Sequence, residues 1–149
     1  MLPLKKILCP TDFSDPSLEA MKVANELATH FSAELLVLHV ITPVPVMTNE
    51  PMMQVPVNLV EYQQQLESVS QQQLQKHIKK LVSKKVKTHS HVVVGHAADE
   101  IVRLADEEKV DLIVISTRGQ TGLKRLVFGS VAEKVVRIAS QPVLTIRHE

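Results

Sequence analysis

The stretch at residues 111–130 reads DLIVISTRGQTGLKRLVFGS. It begins with an apolar run, Asp111 to Ile115, that is typical of a strand buried on both faces of a sheet. A loop rich in glycine, hydroxyls and cations follows. The loop ends at Ser130, with Glu133 three positions later, and this spacing is the capping box of a helix N-terminus. The stretch therefore predicts a strand, a loop and a helix in succession, as in an α/β fold.

The same loop has the chemistry of an anion site. Glycine lets the backbone approach a ligand closely, and a helix start offers unpaired N–H groups with a partial positive charge. Arg118, Lys124 and Arg125 add full charges. These features favour a phosphate, although neither the Walker pattern nor the dinucleotide glycine pattern is present. An ordinary turn followed by a capped helix also explains the glycines and Ser130, and this alternative stays open.

The loop resembles the nucleotide motif of the universal stress protein family. That motif runs glycine, two residues, glycine, nine residues, then glycine followed by serine or threonine. Gly119, Gly129 and Ser130 match its second glycine, its third glycine and its hydroxyl residue, whereas Ser116 occupies the position of its first glycine. The order of elements extends the resemblance over residues 5–146, nearly the whole chain.

The resemblance implies an ATP site, with magnesium or manganese as the divalent cation. In the family the motif cradles the phosphates and ribose, and an aspartate after the first strand lies at the adenine end. Some family members with altered motifs bind no nucleotide, so Ser116 is the position that tests the implication. The residues that would form the nucleotide site are Pro10, Thr11, Asp12, Val40, Ser116, Arg118, Gly119, Gly129, Ser130 and Val131.

Asp12 is also singled out by its position at the end of the first predicted strand. Ligands of open α/β sheets bind at the carboxyl ends of the strands, which favours a ligand role for this side chain. A turn aspartate just before a helix is the competing interpretation. The resemblance favours the nucleotide role.

Composition narrows the class of protein. The 149 residues suit one domain, residues 1–149, and the net charge of +1 gives no electrostatic reason to expect nucleic-acid binding. No apolar run approaches the length of a membrane span, so we expect a cytoplasmic protein without a membrane segment. The single cysteine, Cys9, excludes an internal disulfide and is expected in the core, and a redox role is the less favoured interpretation.

Strand and helix alternate along the chain, which predicts a doubly wound five-stranded parallel sheet with helices on both faces. The resemblance implies the strand order 3-2-1-4-5. Strands are predicted at residues 6–10, 34–41, 88–94, 110–115 and 142–146. Helices are predicted from Asp15-Pro16, over residues 59–85, around Asp99-Glu100 and over residues 130–139.

Two further regions leave alternatives open. Residues 42–58 contain four of the eight prolines, so we expect a mobile insert that forms a lid, a partner patch or a plain surface loop. His89 and His91 alternate onto one face of the third strand. A metal site is one interpretation of this pair, but the solvated face of an edge strand explains them better because no third ligand is evident.

The resemblance favours an ATP-binding regulatory or adaptor module of stress response, with at most slow ATP hydrolysis. Two alternatives remain: a nucleotide-free dimeric interaction module with a protein partner, and a nucleotidyl-transferring enzyme of a related α/β class. Residues 143–146 predict an apolar edge strand, which invites pairing between chains. Family members commonly dimerise through this strand, so we expect a homodimer.

Overall fold

A computed structural model describes residues 2–43, 58–118 and 128–148 of the chain. Strands and helices alternate along the chain. The central strands are almost entirely buried, whereas the helices bury one side only. The strands are β1 (Lys6–Pro10), β2 (Glu34–Ile41), β3 (Thr88–Val94), β4 (Leu112–Ser116) and β5 (Val143–Ile146). The helices are α1 (Asp15–Phe31), α2 (Leu59–Leu81), α3 (Ala97–Glu107) and α4 (Ser130–Ile138).

The five strands form one parallel sheet in the order β3-β2-β1-β4-β5, which confirms the predicted fold class and strand order. β1 and β4 pair in the centre, with Ile7 opposite Leu112. Just before β4, the Asp111 carboxylate accepts hydrogen bonds from the backbone N–H groups of Lys5 and Lys6, at 2.8 and 2.9 Å. This side chain fixes the register of two strands that lie a hundred residues apart in the chain.

Both faces of the sheet carry a hydrophobic core, because side chains of a strand alternate between the two faces. Ile7 and Cys9 of β1 pack with α1 and α2, whereas Leu8 packs with α3 and α4. Burial raises the pKa of the Cys9 thiol to about 12. The thiol is therefore a core group and not a reactive thiolate.

Two helix starts differ from their predictions by one residue. Ser14, not Asp15, precedes α1, and its hydroxyl accepts a hydrogen bond from the Ser17 N–H. Gly129, not Ser130, is the N-cap of α4 and supplies no side-chain cap. Ser130 is the first helical residue, so the predicted capping box with Glu133 is wrong. In both places the cap lies one residue before the residue that the sequence favours. Contacts of the preceding loops set this position.

α2 ends at Leu81, four residues before its predicted end at Lys85. Val82 is extended and buried, and Val86 is also buried beneath the sheet's edge. The Asn25 side chain of α1 accepts a hydrogen bond from the Ser83 N–H at 2.9 Å, which satisfies a backbone donor after the helix ends. Burial of both valines therefore overrides the helix propensity of the lysine-rich segment.

Four apolar residues that the helical stripes predicted to face inward are exposed. Three of them lie in the end turns of their helices, and the fourth lies next to a buried position. The apolar side of each helix therefore extends beyond the surface that the sheet covers. They are Phe31, Val69, Val131 and Ile138.

The solvated edge strand predicted for the third strand is observed. β3 lies at one edge of the sheet, and His89 contacts the Glu34 carboxylate at 3.1 Å. Most of the insert, residues 44–57, lies outside the described residues, as do Gly119, Gly122, Lys124 and Arg125 of the glycine-rich loop. Among the helices that the structure describes, none is long and apolar enough to cross a membrane.

Candidate functional site

A cavity of about 570 Å³ lies at the carboxyl end of the sheet, where the connections after β1 and β4 diverge. This is the switch point of a doubly wound sheet, the place where such folds bind ligands. The cavity brings together the residues that the sequence placed in one site. Its lining includes Pro10, Thr11, Asp12, Val40, Ser116, Arg118, Gly129, Ser130 and Val131. The remaining predicted residue, Gly119, lies outside the described residues.

The β1 side of the cavity is a tightly bonded turn. The Thr11 N–H donates to the Leu38 carbonyl at 2.8 Å, and the Thr11 and Ser17 hydroxyls hydrogen bond to each other at 2.8 Å. Asp12 accepts hydrogen bonds from the backbone N–H of Ser14, at 3.0 Å, and from the Ser14 hydroxyl. The turn role foreseen as an alternative for Asp12 is therefore present, and the same residue lines the cavity.

Phe13 holds this turn in an unusual backbone conformation. Its φ of 66° lies in the left-handed region, which is unfavourable for a bulky side chain. The ring stacks on His39 at a centroid distance of 4.2 Å, and the Phe13 N–H donates to the Thr11 hydroxyl at 3.1 Å. Strained residues of this kind concentrate at functional sites, where the surrounding structure compensates for the strain.

His39 connects β2 to the same turn. Its Nδ1 lies 2.8 Å from the Thr11 carbonyl oxygen. Because a carbonyl oxygen only accepts, Nδ1 carries the proton and donates. The histidine is thus partly buried and satisfied, and it also lines the cavity.

On the β4 side, the backbone just before α4 hydrogen bonds to the turn that follows β4. The Gly129 N–H donates to the Thr117 carbonyl, and the Thr117 N–H donates to Ile146 of β5 at 2.9 Å. A Cβ on Gly129 would lie 3.2 Å from that Thr117 carbonyl oxygen, whereas the φ of −69° is open to any residue. A side chain at this position would therefore need the Thr117 carbonyl to shift by a few tenths of an ångström, so the close approach of the two backbone segments favours glycine.

Ser116 occupies the position of the motif's first glycine. Its hydroxyl donates to the Arg118 carbonyl at 2.7 Å, so the side chain serves the turn after β4. At the start of α4 the cap residue is a glycine and cannot accept from the N–H groups of the first turn. Those donors, together with the Arg118 guanidinium on the cavity wall, form a site suited to an anion.

Several lining residues were missed by sequence reasoning. Half of them lie on helices, whose position over the sheet follows only from tertiary packing, and the rest lie on β2, on β4 or directly after these strands. Ser70 had a signal in the sequence, since it interrupts the apolar i, i+4 pattern of Leu66 and Leu74. The missed residues are Ser17, Leu38, His39, Ile41, Thr42, Leu66, Ser70, Ala97, Ile101, Ile115, Thr117 and Ala132.

Metal binding by the protein alone has no support in the described part of the chain. Residues 2–43, 58–118 and 128–148 contain no group of three histidine, cysteine or carboxylate side chains placed to hold an ion. Magnesium usually keeps several waters and is bound through one or two carboxylates plus substrate phosphates. A cation here would therefore rely on the ligand's phosphates and water.

Comparison with known proteins gives consistent similarities. The model of the universal stress protein family matches residues 3–147. Universal stress protein MJ0531 of Methanocaldococcus jannaschii is 39% identical over 145 residues, which is 96% of this chain and 82% of the relative. Universal stress protein YxiE of Bacillus subtilis is 34% identical over 145 residues, 95% of this chain and 98% of the relative.

Solved structures have the same architecture. The structure of protein MJ0577 superposes with a TM-score of 0.84 at 32% identity, over 98% of this chain and 97% of that one. A universal stress protein in complex with cAMP gives a TM-score of 0.64 at 24% identity and covers 97% of each chain. One from Archaeoglobus fulgidus in complex with dAMP gives 0.59 at 23%, over 98% and 99%. At these lower identities the likeness concerns the fold.

Proposed function

The chain belongs to the universal stress protein family, and we propose that it binds an adenine nucleotide in the cavity between β1 and β4. The ligand that we favour is ATP with magnesium or manganese. The observation that carries this proposal is the convergence of the Thr11-Asp12 turn and the Gly129-Ser130 helix start on one cavity. These segments lie more than a hundred residues apart in the chain, and the sequence of each favours nucleotide chemistry.

The size and polarity of the cavity support this ligand. Its volume of about 570 Å³ is within the range of sites for small molecules, roughly 300–1,000 Å³. The start of α4 and Arg118 supply positive potential at one end, which suits phosphates. Apolar residues such as Val40, Ile41 and Leu66 also line the cavity, which suits a base. Proteins of the same fold in complex with cAMP and dAMP add support for an adenine nucleotide.

We infer a regulatory module and not an enzyme with rapid turnover. Within the described part of the cavity wall the ionisable side chains are Asp12, His39 and Arg118. Nδ1 of His39 is committed to the Thr11 carbonyl, and Asp12 holds its own turn. Positioned cations and a metal still permit slow phosphoryl transfer to water.

Analysis of the bound ligand tests the proposal directly. Freshly purified protein is denatured and the released small molecules are identified, and the refolded or ligand-free protein is then titrated with ATP and magnesium by calorimetry. We expect release of an adenine nucleotide and a measurable heat of binding. No released nucleotide and no heat at millimolar ATP would contradict the proposal and favour the nucleotide-free interaction module.

A graded series at Gly129 links binding to this cavity. Gly129→Ala places a methyl group 3.2 Å from the Thr117 carbonyl, and Gly129→Val adds two further methyl groups at the start of α4. We expect the alanine variant to weaken ATP binding and the valine variant to abolish it. Circular dichroism and thermal unfolding provide the control, because the sheet should remain folded. Equal ATP affinity of wild type and valine variant would place the nucleotide elsewhere.

Arg118→Ala tests whether this residue contacts the phosphates of the ligand and not its adenosine part. Because the guanidinium lies at the proposed phosphate end, its removal should weaken ATP by roughly tenfold and leave adenosine almost unchanged. The measurement is calorimetry with both ligands under the same salt. An equal loss for ATP and adenosine would show that Arg118 acts on the fold of the loop.

A further inference from the structure

Ser70 interrupts the apolar stripe of α2 where this helix passes over the cavity. Leu66, Ser70 and Leu74 follow one another at i, i+4 spacing, so they lie on one side of the helix. Leu74 is fully buried in the core beneath α1, whereas Leu66 and Ser70 line the cavity. Ser70 is 5% exposed, as deeply enclosed as many core residues. A hydroxyl therefore stands at a position where the helix pattern calls for an apolar side chain.

The Ser70 hydroxyl makes no hydrogen bond to any residue that the structure describes. The usual solution for a helical hydroxyl is the carbonyl one turn earlier, as in α1, where Thr29 donates to the Asn25 carbonyl at 2.7 Å. The neighbouring amides of Gln71 and Gln75 donate to Ser90, not to Ser70. The Ser70 oxygen is not among the fully buried side-chain atoms that lack a partner in the described residues, so it is open to the cavity. Its place on the cavity wall points to a partner supplied by a ligand.

The position of α2 indicates which part of the ligand this is. α2 packs with α1 on one face of the sheet and contacts β2 and β3, whereas α4 packs on the opposite face. The proposed phosphate end of the cavity is at the start of α4, so α2 borders the other end. Leu66 of α2 and Ile41 of β2 make this part of the lining apolar, whereas Val40 packs with the α3 and α4 cluster on the other face of the sheet. This environment suits a planar base better than a charged group.

We propose that Ser70 hydrogen bonds the edge of the adenine base and is a specificity-determining residue of the nucleotide site. This inference rests on the proposed function. A hydroxyl donates one hydrogen bond and accepts others. Adenine offers both complements on its edge, an amino group and ring nitrogens. α2 thereby adds a polar contact to a site whose other residues come from β1, β2, β4 and the start of α4.

Ser70→Ala is the test, with Ser68→Ala as the matched control. Ser68 lies two residues earlier on the exposed side of the same helix, so both variants make the same chemical change. Calorimetry measures ATP, adenosine and 2′-deoxy-ATP binding to each protein. We expect Ser70→Ala to weaken all three ligands by about two- to tenfold, the value of one neutral hydrogen bond. Ser68→Ala should leave all three affinities unchanged.

The unfolding temperature of the ligand-free protein gives a second readout. Loss of a serine that serves only packing would lower this temperature. Because the Ser70 hydroxyl makes no hydrogen bond to a described residue and alanine is the better helix former, the ligand-free Ser70→Ala protein should keep or raise its unfolding temperature. A fall in both affinity and unfolding temperature would overturn the proposal, because the serine would then serve packing.

The remaining outcomes are also decisive. If the wild type binds ATP and Ser70→Ala binds all three ligands equally well, the inference is wrong while the proposed function stands. If the loss is confined to ATP or disappears with 2′-deoxy-ATP, the contact is to phosphate or ribose and the base assignment is overturned. If the wild type binds none of the ligands, the proposed function fails first and the base contact fails with it.

Discussion

Ser14 and Ser130 stand at the starts of two helices, yet only Ser14 caps one. The Ser14 hydroxyl accepts from the Ser17 N–H and donates to Asp12, so it joins the cap of α1 to the cavity turn. Ser130 is the first residue of α4, after a glycine cap. The sequence favoured Asp15 as the first cap and Ser130 as the second, each one residue after the observed cap. The difference between Ser14 and Ser130 is set by the Gly129–Thr117 backbone contact, which moves the helix start by one position.

The two serines should therefore differ in their contribution to stability. Ser14→Ala should lower the free energy of unfolding by about 1 kcal/mol, since it removes a helix cap. Ser130→Ala should change it by less than roughly 0.5 kcal/mol, as expected for a position without a special contact. Urea unfolding of both variants without nucleotide is the measurement. A larger loss of unfolding free energy for Ser130→Ala than for Ser14→Ala would contradict the glycine cap and support a capping box of Ser130 and Glu133.

At the scale of residues, sequence reasoning succeeded where chemistry is local and failed where it depends on neighbours. Asp12 and Gly129 were found because a turn carboxylate and a glycine before a helix have recognisable contexts. The reason why glycine is favoured at Gly129 was not accessible, because the Thr117 carbonyl that it approaches is brought there by the fold. Ser70 was not predicted as a site residue, since nothing in the sequence places α2 over the cavity.

At the scale of elements, α2 shows both what sequence predicts and where it stops. Its helical character follows from composition, and its start at Leu59 matches the prediction. Its end does not match, because the burial of Val82 and Val86 terminates the helix before the lysines that favour its continuation. Strand positions were predicted to within two residues, since continuous apolar runs leave few alternatives in a parallel sheet.

The docking of α2 involves an aromatic contact that depends on protonation. His77 of α2 stacks on Phe13 at a centroid distance of 5.6 Å. Burial is the largest cause that lowers the pKa of His77, and the neighbouring Lys76 and Lys80 lower it further. The pKa of His91 on β3 is also lowered, chiefly by burial. Both imidazoles are thus held neutral in the folded protein more strongly than in the unfolded chain.

Stability should accordingly fall with acidification. The unfolded chain binds protons at its ordinary histidine pKa of about 6.5, while the folded protein binds them only at lower pH. The contribution is therefore complete above about pH 6.5 and is lost as pH falls through the lowered folded values. Urea unfolding between pH 7.5 and 5 should show this decline, and the double change His77→Gln with His91→Gln should flatten it.

His96→Gln is the matched control for the pH experiment. His96 is exposed before α3 and makes no side-chain cap, so its replacement removes an imidazole without the loss of a described contact. The carboxylates of Glu19 and Glu34 have lowered pKa values through hydrogen bonds to Lys22 and Lys87 respectively. They act at lower pH than this window. An unchanged slope in the double variant would contradict the assignment to His77 and His91.

At the scale of the whole molecule, the site exists because β1 and β4 are neighbours. The strand order places the Thr11-Asp12 turn beside the start of α4, and the Asp111 carboxylate secures that pairing from the opposite end of the strands. This juxtaposition could be predicted from alternating elements together with the family resemblance. The contribution of α2 could not, because helix packing over a sheet depends on side-chain volumes along both surfaces.

The outer edge of β5 and the adjoining face of α4 provide the last prediction. β5 has β4 as its neighbour in the sheet and forms an edge of it. Three large apolar side chains of this region are exposed, Leu144 at 38%, Ile138 at 40% and Val136 at 46%. An apolar edge strand beside further apolar surface favours pairing with another copy of the chain. We expect a homodimer through Val143–Ile146 in the wild-type protein.

Leu144→Lys should convert this dimer into a monomer, because a charge at the centre of the edge strand opposes its apposition to a second copy. Val60→Lys on α2, where the side chain is 67% exposed, is the control and should remain dimeric. Sedimentation velocity at micromolar concentration measures both. Since Leu144 does not line the cavity, ATP titration of the monomeric variant also asks whether one chain suffices for binding. A wild-type mass of one chain would contradict the interface, whereas a dimer that survives Leu144→Lys would move it to another surface.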